Sequence, residues 1–249
     1  MERLNGLSIN SKQTYNVFID VLKSLSKNES INDYNRHVAI INTSQKIIGI
    51  SMANIRKLAR VILNGDYISF LDYQKNLNKN DMYYEETLIE GLVISGIKNL
   101  NEQTSRLKYW IYKIDNWSTC DSVCCSLKRL KKAKNKNEFF DFFKNLCYLQ
   151  DEFVCRFGLV SIMSNYLEQD YLQDILDICK SIKSDKYYIN MALAWLISYL
   201  FMKFKKETYK LLETKELSKF VQNKAISKCR DSYQVDSQDK EKLISLRIK

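Results

Sequence analysis

The chain has 249 residues, a formal net charge of +10 and an isoelectric point near 9.1. Proline is absent and glycine occurs six times, which argues against a turn-rich sheet fold and for helices joined by short polar links. No apolar stretch approaches the ~20 residues of a membrane span, and the positive surplus points to a polyanion, nucleic acid before an anionic membrane.

The opening MERLNGLSINSKQ lacks an apolar signal core, so a cytoplasmic protein is expected. Amphipathic i, i+3, i+4 spacing begins with YNVFIDVLKSL (15–25) and NIRKLARVIL (54–63). From residue 82 the segments fall into pairs. The longer, more apolar members are MYYEETLIEGLVISGI, WSTCDSVCCSLKRL, EFVCRFGLVSIMSNYL, YYINMALAWLISYLF and FVQNKAISKCRDSY. Between them lie TSRLKYWIYKI, EFFDFFKNL, LQDILDICKSI and ETYKLLE. Strand-type alternation never persists, so an all-α fold is expected.

Counted from Glu86, equivalent positions in the longer members are Asp121, Arg156, Met191 and Lys224, in steps of 35, 35, 35 and 33. A helix-pair repeat of that length predicts an α-solenoid of HEAT-like antiparallel pairs. We expect one domain over 1–249, with capping helices in 1–80 and regular repeats in 81–249. One turn before this column stand Met82, Trp117, Glu152, Tyr187 and Phe220; one turn after it stand Glu90, Cys125, Val160, Trp195 and Lys228. The register therefore gathers Trp117, Asp121, Arg156 and Trp195 on one side of three layers. That side is either a groove or the inter-helix core, and the charges of Asp121 and Arg156 favour the groove.

Each residue also has a plainer reading. Tryptophans are mostly core, and an Asp–Arg pair is often a structural ion pair between repeats. The run KRLKKAKNK (128–136) has six basic residues in nine. It is either a solvated helix end or, beginning with Lys128 and Arg129, a grip on phosphates. His37 is the one histidine, in a polar stretch, and reads as a surface residue. The seven cysteines, at 120, 124, 125, 147, 155, 179 and 229, form no CxxC pair. They read as buried thiols in a reducing compartment, and neither a metal nor a cofactor is expected.

Five blocks carry a resemblance: IIGISMANIRKLAR (47–60), IDNWSTCDSVC (114–124), FVCRFGLV (153–160), YYINMALAWLIS (187–198) and NKAISKCRDSYQVD (223–236). In this order and spacing the chain resembles the AlkD-like DNA alkylation repair glycosylases, a HEAT-like repeat family. The resemblance implies a right-handed solenoid with a concave, basic groove for duplex DNA. It also implies that Trp117 and Asp121 are the catalytic pair, that Arg156 is a groove arginine and that Trp195 is a second aromatic near the lesion. Lys128, Arg129, Lys224 and Lys228 are further DNA-binding candidates. Where family members commonly have arginine and proline after the loop glycine, this chain has Ser51 and Ala53.

The implied reaction is release of a cationic purine, of the 3-methyladenine or 7-methylguanine type, leaving an abasic site. An indole face and a carboxylate both stabilise the positive charge that develops on the sugar. Asp121 would also position or deprotonate the attacking water. A charged leaving base needs no strong general acid, and no lysine nucleophile or lyase step is expected. The expected protein is a monomer, nucleoid-associated through DNA. Two other readings stand beside it: a DNA-binding relative that senses damaged duplex without turnover, and a helical scaffold for acidic protein segments.

Overall fold

The structure is a computed structural model and describes residues 2–26 and 41–249. His37 lies outside the described residues. Among those described there are thirteen α-helices, several single 3-10 turns and no β-strand. They fall into two compact units, residues 1–127 and 128–249.

Unit 1 holds α1 (Lys12–Ser26), α2 (Met52–Asn64), α3 (Tyr67–Lys75), α4 (Tyr84–Gly96), α5 (Leu100–Trp110) and α6 (Trp117–Cys124). At its centre is α4, which packs on α2, α5 and α6 and is buried from Tyr84 to Ser95. A helix buried all round must satisfy its own polar groups, and α4 has three carboxylates. The Glu85 carboxylate accepts from the backbone N–H groups of Ile48 and Gly49 at 3.0 and 2.7 Å. Gly49 has φ +88°, a left-handed conformation suited to glycine. Glu86 accepts from the Tyr15 hydroxyl and the Tyr83 N–H, both at 2.8 Å. Glu90 is paired with Lys113 at 2.9 Å. Gly91 lets α5 approach closely, because a Cβ there would overlap the indole of Trp110.

Unit 2 holds α7 (Lys136–Leu146), α8 (Glu152–Asn165), α9 (Leu172–Ser181), α10 (Tyr187–Lys203), α11 (Lys205–Glu213), α12 (Lys219–Asp231) and α13 (Ser237–Ile244). Here α10 is central, packing on α8, α11 and α12. Helix α8 also packs on α7 through Gly158, whose absent Cβ would lie 2.7 Å from the Phe143 carbonyl oxygen.

The repeat spacing reappears as helix starts. Tyr84, Trp117, Glu152, Tyr187 and Lys219 begin α4, α6, α8, α10 and α12. Several of these starts are written locally by capping side chains. Asn116 accepts from the Thr119 N–H at 2.8 Å, Asp151 from Phe153 and Val154, and Ser218 from Val221. Such caps satisfy backbone donors that would otherwise be orphaned at the first turn.

One expected helix is shorter than its pattern. WSTCDSVCCSLKRL is helical only to Cys124. Ser, Thr and Cys are weak helix formers, and the Ser126 hydroxyl donates back to the Ser122 carbonyl at 2.8 Å. The chain then turns, with Leu127 and Leu130 buried and Lys128 and Arg129 exposed. The basic run is thus a turn and a 3-10 segment (Leu130–Lys132) leading into α7.

Candidate functional site

In unit 1, Trp117 is the first residue of α6 and Asp121 lies one turn later. At i and i+4 they share a face, and both are half-buried. The start of α6 is pinned from below. The Asp115 carboxylate accepts from the hydroxyls of Thr43 and Ser44 at 2.7 and 2.6 Å. It also accepts from the Ser44 N–H and from Asn116 Nδ2, both at 2.9 Å. Burial of Asp115 works to raise its pKa, but the hydrogen bonds from Ser44, Asn116 and Thr43 outweigh it and hold the carboxyl below its ordinary value. Ser118 is bonded to the buried Tyr84 hydroxyl at 2.9 Å. The first turn carrying Trp117 is therefore held by hydrogen bonds at Asp115, Asn116 and Ser118.

In unit 2 the structure brings Arg156, Trp195, Lys224 and Lys228 together. The Lys228 ammonium lies 5.9 Å from the centre of the Trp195 ring, and Trp195 meets Tyr199 edge-on at 6.1 Å. Trp195, Tyr199, Met202 and Lys228 line an open cleft of about 330 Å³. Desolvation lowers the Lys228 pKa, and the charges of Lys224 and Arg156 lower it further. That crowding of positive charge is the field an anionic ligand relieves.

Arg156 is buried, with 5 % of its surface exposed. One guanidinium N–H donates to the Tyr188 carbonyl at 3.0 Å, and the group lies 5.8 Å from the centre of the Tyr188 ring. Tyr188 was not among the sequence candidates. Its own N–H donates to Glu152 at 2.7 Å, so the first turns of α8 and α10 are tied beneath the arginine. Lys128 and Arg129 stand exposed in the turn before α7.

Among the described residues no group of three His, Cys, Asp or Glu could hold a metal ion. Nor is any helix among them long and apolar enough to cross a membrane.

A helical repeat protein with a pinned indole–carboxylate pair and a basic, aromatic cluster is the class these features define. The family model described as DNA alkylation repair enzyme matches residues 18–228, and the chain belongs to that family. No curated protein and no solved structure matches it.

Proposed function

We propose that the protein is a monofunctional DNA glycosylase that hydrolyses the N-glycosidic bond of cationic alkylated purines in duplex DNA. One observation carries this reading: an indole and a carboxylate one turn apart on a rigidly capped helix, in a chain of the DNA alkylation repair family. The repeats would stack as a right-handed HEAT-like solenoid whose concave side takes the duplex.

A purine methylated at N3 or N7 already carries positive charge, so bond cleavage shifts that charge toward the sugar as an oxocarbenium ion. Trp117 would meet this cation with its ring face, and Asp121 with its negative charge. Asp121 would also orient the water that attacks the anomeric carbon and take its proton. The electron pair of the broken bond leaves with the base, which departs neutral. Arg156, Lys224 and Lys228 would hold phosphates beside the lesion, with Lys128 and Arg129 as further phosphate contacts, and Trp195 would pack against sugar.

The test is incubation with duplex DNA bearing N7-methylguanine, scoring free base and alkali-labile sites. Release well above the spontaneous rate is expected. Tight duplex binding without release would instead favour a non-catalytic relative, and absence of both would remove the DNA reading.

A further inference from the structure

Beyond the residues matched by the family, the segment after α13 returns to α12. Two consecutive amides of α12 hold it there. Gln222 Nε2 donates to the Leu246 carbonyl at 2.7 Å, and Asn223 makes a two-way pair with Ile248 at 2.9 Å in each direction. Arg247, between these anchors, is laid along α12, and its Nη2 donates to the Ser227 hydroxyl at 2.9 Å. Its Nε is buried with no hydrogen-bond partner among the described residues.

Arg247 lines a cleft of about 560 Å³ with Lys219, Phe220, Asn223, Lys224 and Ser227. Three cations face this space and no carboxylate lines it among the described residues. Holding like charges together is unfavourable unless an anion joins them. Phe220, 43 % exposed, contributes an apolar face, braced edge-on by Tyr187 at 6.0 Å. Cations beside one exposed aromatic ring match the alternation of phosphate and sugar along a nucleic-acid strand.

We propose that this cleft binds a phosphodiester of the DNA backbone, with Arg247 and Lys219 on the phosphate and Phe220 against the adjacent deoxyribose. The inference rests on the DNA-binding reading above and adds a contact outside the residues that reading uses for chemistry. It is independent of base sequence and of the lesion, so it lengthens the footprint without altering selectivity.

The test is binding of undamaged duplex by fluorescence anisotropy across a salt series, with wild type, Arg247→Gln, Arg247→Lys and Lys219→Gln. Each neutral variant should flatten the slope of log affinity against log salt by about one, and Arg247→Lys should recover most of it. Lys219 is exposed, so its variant reports even where Arg247→Gln disturbs folding. Phe220→Ala should weaken binding with the slope unchanged. Inorganic phosphate, added alone, separates a free-anion site from a backbone site by thermal shift. Arg247-dependent stabilisation by phosphate, with unaltered DNA slopes, overturns the proposal. Unchanged slopes in both neutral variants also overturn it while leaving the DNA-binding reading intact; a wild type that binds no duplex overturns both.

Discussion

The Lys228 ammonium and the Trp195 ring sit 5.9 Å apart on α12 and α10, and the cation there titrates below its ordinary value. After burial, the first cause is Lys224, one turn earlier on the same helix. Lys224→Gln should therefore raise the Lys228 pKa, as read by NMR of labelled lysines. Saturating duplex DNA should raise it in the wild type as well. An unmoved Lys228 in both cases would separate this cluster from the phosphate backbone.

Close helix approach at two glycines makes the second prediction. A methyl at Gly158 would sit 2.7 Å from the Phe143 carbonyl oxygen and 2.8 Å from the Cys147 sulfur. A backbone carbonyl cannot step aside as a side chain can. Gly158→Ala should destabilise by about 1–3 kcal/mol, despite the better helix propensity of alanine, and Gly91→Ala should do likewise against Trp110. Chemical denaturation measures both, and a variant as stable as wild type would show that the helices slide apart freely.

The buried pair Glu90–Lys113 gives a third. Burial pushes the Glu90 carboxyl up to about 7, with Lys113 pulling it back. The Lys113 ammonium also donates to the Gln74 carbonyl at 2.7 Å. Removing one partner strands the other, so Lys113→Met should cost about 3–5 kcal/mol. The double variant with Glu90→Gln should recover much of that. Because the folded pKa of Glu90 lies above its unfolded value of about 4.3, the folded state binds the extra proton. Its contribution to stability is fully present below that unfolded value and is lost as pH rises toward 7. Denaturation of wild type and Glu90→Gln across that window should show the slope in the first and not the second.

Much of this was legible in the amino-acid sequence, and the exceptions have physical causes. The starts of α6, α8 and α12 were legible from the apolar segments and their repeat spacing, and the structure adds that Asn116, Asp151 and Ser218 cap them. The meeting of Trp195 with Lys228 followed from the same register. The end of α6 was not legible, because Leu127 and Leu130 continue the apolar pattern and are indeed buried. Periodicity reported their burial but not their backbone. Tyr188 beneath Arg156, and Arg247 alongside α12, depend on contacts between residues 20 or more positions apart, which no local pattern encodes. The burial of the α4 carboxylates was not legible, because the register alone did not separate groove from core. Their burial needed partners as distant as Tyr15 and Lys113.

We propose that Trp117 and Asp121 stabilise and complete a cationic transition state. Single-turnover release of N7-methylguanine from duplex DNA, with wild type and Asp121→Asn at matched saturation, tests it most directly. A fall of about 10²–10³ in rate is expected for Asp121→Asn, with duplex affinity nearly unchanged. Equal rates for the two proteins would contradict it.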